Sequence, residues 1–294
     1  MRSSFPGQNN GLGEADESRM RISLCNEVLQ PLDFARQCEL AAALGYDGLE
    51  IAPFTLGNNP TTLSGARIAE LRRAASGAGI AITGLHYVLR APAGLSITSA
   101  DNAVREHTIA VMRALCGLCA ELGGKIVVHG SPDQRKLEPG AEREGRQHGI
   151  ECFAAVADAA QHAGVTYCVE PLARNQTAFI NTVQEAADIV RAINNPALRT
   201  MIDCSAAGQV EAEPVDALAR RWLPSGLIAH VHFNDPNRRG PGEGELEFGP
   251  ILAALRDGGY DGNAAIEPFI YQPDGPTCAA RGIGYIRGIM ETLA

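Results

Sequence analysis

From residue 20 onward, short β-patterned runs alternate eight times with longer amphipathic segments, and this alternation restricts the fold more than any other feature of the chain. The runs are MRISLC (20–25), YDGLEIA (46–52), IAITGLH (80–86), KIVVHG (125–130), TYCVEPL (166–172), TMIDCS (200–205), LIAHVHF (227–233) and GNAAIEPF (262–269). Each is short and mostly apolar, the pattern of a parallel strand covered on both faces. Between them apolar residues recur at helical spacing, from PLDFARQCELAAALG (31–45) through FGPILAALRDGG (248–259) to a closing helix at AARGIGYIRGIMETL (279–293). Gly45, Gly79 and Gly164 stand just past three helix ends, and Pro31 stands near a helix start. Eight strand–helix units without a linker or a composition break predict an α/β fold, a single-domain (β/α)8 TIM barrel over residues 20–294. A doubly wound open sheet is the competing arrangement. Its phosphate-binding turn after the first strand needs glycines, however, and CNEVLQPLD has none.

Composition narrows the function classes. Of 294 residues 45% are hydrophobic, enough for one large core. A formal net charge of −9 argues against a nucleic-acid or anionic-membrane partner, since both need a basic footprint. No apolar run is long enough to span a bilayer. Residues 1–19 are rich in Ser, Gly, Asn and acids, lack the apolar segment of a secretory signal and read as a disordered leader. Eight cysteines without a secretion signal predict reduced thiols and a cytoplasmic location. Cys116 and Cys119 form a CxxC within a helical apolar pattern, and with no second CxxC they read as core packing.

In a barrel of this kind the chemistry collects where the strands end. The polar residues there are Glu50, His86, His129, Glu170, Asp203, His232 and Glu267, on strands two to eight. So many in one layer are hard to explain as structural residues, because the carboxylates repel one another in a poorly solvated mouth. A bound cation removes the difficulty. Glu170, Asp203, His232 and Glu267, on consecutive strands five to eight, supply three carboxylates and one imidazole. That set suits one six-coordinate divalent ion with positions open to water or substrate oxygens. Mn²⁺ is the expected ion, with Mg²⁺ and Co²⁺ as alternatives; Zn²⁺ usually takes fewer and more nitrogen- or sulfur-rich ligands. Strand alternation puts His230 on the same side as His232 but deeper, as a support for it rather than a ligand.

The strings HGSPDQR (129–135), EPLARNQTAFINT (170–182), MIDCSAAG (201–208), HVHFNDPNRRGPGEGELEFGPILAALRDGGYDG (230–262) and AAIEPF (264–269) resemble the xylose-isomerase-like TIM-barrel superfamily. Within it they resemble the sugar isomerase/epimerase group typified by D-tagatose/D-psicose 3-epimerases. The resemblance spans residues 20–294 and is densest from 125 onward. It implies a metal-dependent isomerase acting on a small carbohydrate. A metal chelating a carbonyl and the adjacent hydroxyl oxygen stabilises the enediolate formed when the carbon between them loses its proton. Glu170 and Glu267 are implied as both metal ligands and proton-transfer groups, with Asp203 and His232 as ligands alone. Arg238 is similar to the arginine that contacts substrate oxygens. His86 and His129 are expected to orient substrate or a metal-bound water, and Glu50 to border the substrate. Gln176 stands where these epimerases commonly carry an acid and keeps a hydrogen-bonding role. Arg174 is expected to pair with a carboxylate on the rim, Arg239 to lie at the surface, and Asn181 to cap the helix starting at Thr182. Relatives of this kind form homodimers or homotetramers.

Two departures from the epimerase pattern bear on the substrate. Ala206 replaces a substrate-binding histidine and Gln176 replaces the acid. Both place a free ketohexose in doubt, and the space beside Ala206 leaves room for a bulkier keto-glycoside, sugar acid or cyclitol. The rival readings are a metal-dependent lyase, dehydratase or glycoside-cleaving enzyme using the same proton abstraction, a non-catalytic sugar-binding scaffold, and an AP-endonuclease-like nuclease. The nuclease reading lacks the further histidines it needs, and the charge opposes it.

Overall fold

The computed structural model describes residues 20–293; the leader expected over 1–19 lies outside them. Its first half runs β1 (Arg21–Cys25), α1 (Phe34–Leu44), β2 (Gly48–Ile51), α2 (Gly65–Ala78), β3 (Ala81–Leu85), α3 (Asn102–Leu122), β4 (Ile126–His129) and α4 (Glu142–Ala163). The second half continues with β5 (Thr166–Val169), α5 (Val183–Ile193), β6 (Leu198–Asp203), α6 (Cys204–Val210) and α7 (Val215–Trp222). It ends with β7 (Ile228–Phe233), α8 (Phe248–Asp257), β8 (Asn263–Ile266) and α9 (Gly275–Leu293). The eight strands close in sequence order, each parallel to its neighbour, with β1 pairing β8. This is the expected (β/α)8 barrel.

Local chemistry sets the helix limits. Asp33, Ser64 and Thr182 cap α1, α2 and α5 by accepting a backbone N–H three residues on. Pro31 therefore lies outside α1, and Asn181 is not the cap of α5. Its amide instead donates to the carbonyls of Leu172 and Thr177, pinning the loop after β5. Gly45, Gly79 and Gly164 take left-handed φ values of 91°, 77° and 68° as their helices stop. The short helix α6 was not expected. It starts directly after β6 because the Asp203 carboxylate accepts the Ala206 N–H at 2.6 Å. α9 begins four residues before the expected AARG, at Gly275, where a Cβ would lie 1.7 Å from the Val28 carbonyl. Its seat is tied by Tyr46, whose hydroxyl donates to the Ala279 carbonyl.

The main core joins residues of sheet and helices, and Ile126, Val128, Cys168 and Met201 on β4, β5 and β6 form a separate buried cluster. Cys116 and Cys119 are buried in the main core, and the Cys119 thiol donates to the Ile126 carbonyl. All eight cysteines are free and buried. No helix among the described residues is long and apolar enough to cross a membrane.

Candidate metal centre

Strand register brings the strand-end residues to one level. Asp203 ends β6 and pairs with His232 on β7. Glu170 follows β5 and Glu267 follows β8, their N–H groups continuing the ladder to the His129 and Phe233 carbonyls. One ligand atom from each of Glu170, Asp203, His232 and Glu267 lies within 4.8 Å of all the others, and the four are buried. His232 Nδ1 is 3.0 Å from Glu267 Oε2, 3.6 Å from Glu170 Oε1 and 3.9 Å from Asp203 Oδ2. Nδ1 has no hydrogen-bond partner, which leaves it available to an ion.

The electrostatics of the cluster are consistent with a cation site. Burial, reinforced by Glu170 and Glu267, pushes the Asp203 carboxyl up to about 8. Burial likewise raises Glu267, although His232 opposes it. Burial lowers His232, but Glu267 and Glu50 together carry its ring well above the ordinary histidine value. Without an ion the site can balance its charge only by holding protons. A divalent cation in their place fits three carboxylates and an orphaned imidazole nitrogen.

The opposite ring nitrogen, His232 Nε2, is 2.9 Å from Glu50 Oε1, and His230 Nε2 is 2.7 Å from Glu50 Oε2. Glu50, expected to border the substrate, turns both oxygens to these two rings. It is fully buried beneath His232 and holds the ring with Nδ1 turned to the cluster. His230 lies one layer deeper, as a support. His86 is also buried, with Nε2 2.9 Å from Glu27 Oε1 and 3.9 Å from Glu267 Oε1. His129 is removed from the centre. Its Nδ1 meets the Tyr167 hydroxyl at 2.8 Å and its ring packs edge-on against Phe153, where a substrate-orienting residue was expected. Burial, with the Arg135 charge beside it, keeps that imidazole well below its ordinary value and neutral.

Above the cluster opens a pocket of about 460 Å³, with Glu170 and Glu267 in its wall. Arg238 and Gln176 also line it. Arg238 holds a left-handed φ of 69°, and its guanidinium stands 5.6 Å from the Phe269 ring centre. Ala206 is not among the residues lining this pocket. It is buried, and its N–H serves Asp203. Arg174 is exposed with no carboxylate partner among the described residues, contrary to the expected rim pair. Arg239 donates to the Gln272 side chain.

Two residues escaped the sequence reading. Asn234 is fully buried, donates to Asp203 Oδ2 at 2.7 Å and Glu267 Oε2 at 3.4 Å, and accepts the Ser205 N–H. The signal was its place two residues after His232 at the strand end. Glu27 enters the pocket wall from the segment after β1, where the run CNEVL carries no strand-end pattern.

A closed parallel barrel with a carboxylate–imidazole cluster at its strand ends defines a barrel protein with a candidate divalent-metal centre. The chain belongs to the xylose isomerase-like TIM barrel family, whose model matches residues 38–289. It is 30% identical to a D-psicose 3-epimerase of Ruminiclostridium cellulolyticum over 244 residues, covering 81% of this chain and 79% of that protein. It is 27% identical to a D-psicose 3-epimerase of Agrobacterium fabrum over 248 residues, covering 81% and 80%. In fold it is similar to a D-psicose 3-epimerase from Clostridium cellulolyticum, with TM-score 0.79, 23% identity and coverage of 92% and 99%. A 3-keto-D-glucoside 4-epimerase from E. coli aligns with the same TM-score at 21% identity, covering 92% and 100%.

Proposed function

We propose that this protein is a divalent-metal-dependent epimerase of a keto-sugar, inverting a carbon next to a carbonyl. The observation that carries the reading is the double placement of Glu170 and Glu267, both in the cation cluster and both in the pocket wall. A carboxylate that removes or returns a proton must lie within hydrogen-bond reach of the reacting carbon, held there by its surroundings. Glu170 would be held by its seat on Gly130, where a Cβ would stand 1.6 Å from Oε2. Glu267 is held by Asn234, which donates to its Oε2. One of the two takes the proton, and the other returns one to the opposite face. Bound through Glu170, Asp203, His232 and Glu267, with Mn²⁺ the expected ion, the cation would supply positive charge to the carbonyl and neighbouring hydroxyl oxygens. Arg238 and Gln176 would orient the remaining oxygens. Relatives that are ketose 3-epimerases support a small carbohydrate substrate, and eight free buried thiols fit a reducing, cytoplasmic setting.

The test is solvent exchange. With Mn²⁺ in deuterated water, a panel of ketoses and keto-glycosides is expected to gain deuterium next to the carbonyl, and Glu267→Gln to abolish the gain. Full turnover by that variant would remove the mechanism. Analysis of the products separates an epimer from an aldose or an elimination product.

A further inference from the structure

We propose that Cys25, Glu27, His86 and Glu267 form a second cation site, joined to the first through Glu267. Cys25 ends β1, Glu27 lies two residues on, His86 follows β3 and Glu267 follows β8. One ligand atom from each lies within 4.8 Å of all the others. Cys25 and His86 are fully buried, and the Glu27 side chain is only 10% exposed.

Two observations point to a missing ligand there. Glu27 spends Oε1 on His86, while its Oε2 is buried without a hydrogen-bond partner; such an oxygen is costly unless something fills the gap. Glu267 divides its oxygens between the two clusters, Oε2 at 3.0 Å from His232 Nδ1 and Oε1 at 3.9 Å from His86 Nε2. A carboxylate shared in this way is suited to bridging a pair of closely spaced ions. Charge agrees in sign. Four carboxylates (Glu27, Glu170, Asp203 and Glu267) meet in the two clusters, where one divalent ion supplies two positive charges.

The donor sets differ, and so do the ions they select. Three carboxylates and an imidazole form the first centre. The second offers a thiolate, an imidazole and two carboxylates, a set suited to Zn²⁺ or Co²⁺. Binding exchanges the Cys25 thiol proton, and any proton on His86 Nε2, for the ion and releases them to solvent, with no change of oxidation state. The proposal rests on the reading of the first centre only through the shared Glu267.

Protein loaded with Co²⁺ and dialysed is expected to hold two ions per chain and to show a thiolate-to-cobalt charge-transfer band in the near ultraviolet. Cys25→Ser should lose the band and retain one ion. Glu27→Gln should weaken the second ion by about tenfold or more while leaving the first in place. Circular dichroism separates loss of ions from loss of fold. One ion per chain with no thiolate band, unchanged in both variants, would overturn the second site and leave Glu27 and His86 as an ion pair alone. No retained ion in the unaltered protein would overturn the first centre as well.

Discussion

Glu50 Oε1 and His232 Nε2 meet at 2.9 Å inside the barrel, joining β2 to β7 across 182 residues of sequence. Burial raises the Glu50 carboxyl, but His230 and His232 reverse this and hold it well below the ordinary value, so it stays ionised beneath the ring. Such a partner fixes which imidazole nitrogen faces the ion and increases its basicity. Glu50→Gln is expected to lower Mn²⁺ affinity by about 10- to 100-fold, measured by competition with a chelator. Unchanged affinity would show that the contact does not position the ligand.

Gly130 leaves the space that Glu170 occupies. A Cβ there would stand 1.6 Å from Oε2 and 2.8 Å from the carboxyl carbon. Gly130→Ala must therefore push the carboxylate aside. A displacement of about 1 Å at a reacting group costs on the order of 10²-fold in rate. Deuterium exchange into substrate is expected to fall by about that factor with the circular dichroism spectrum retained. Exchange at the original rate would mean that Glu170 does not work from this position.

His129 makes stability depend on pH. The folded protein holds it neutral, its proton affinity well below the ordinary value, while the unfolded chain titrates near about 6.5. Below that pH the unfolded state binds a proton that the folded state refuses. Stability is then lost as pH falls, by up to about 1.4 kcal/mol per pH unit, and the penalty is absent above about 6.5. Urea unfolding at a series of pH values should show a shallower acid slope in His129→Gln than in the unaltered protein. Equal slopes would contradict the assignment.

Removing divalent ions should destabilise the fold. With no ion present, Asp203, Glu170 and Glu267 oppose one another, and Asp203 is pushed up to about 8. Mn²⁺ at about 100 times its dissociation constant is expected to add about 2.7 kcal/mol to unfolding. Thermal melts after chelation and after restoring Mn²⁺ measure the difference, which should shrink in Asp203→Asn. A melt indifferent to Mn²⁺ would contradict binding at this cluster.

The barrel was legible because its signals are local. Apolar runs of strand length, helical spacing between them and glycines at the helix ends need no knowledge of distant residues. The four cluster residues were legible for a related reason, since a polar side chain ending an apolar run stands out in one dimension. The strand-end pattern also selected Glu50 and His129, but it could not say what each would touch. That was decided by the closure of β1 on β8 and by strand register. Closure put Glu50 beneath His232, and the register set Asp203 beside His232, with Asn234 two residues on reaching Asp203 and Glu267. His129 was left against Tyr167 and Phe153. Glu27 had no strand-end signature and was found only through its contact with His86. Sequence alone picked out Glu170, Asp203, His232 and Glu267 as the strand-end residues that gather at the mouth of the barrel. Tertiary structure decided their partners, because burial and charge at the mouth are sums over strands far apart in the chain.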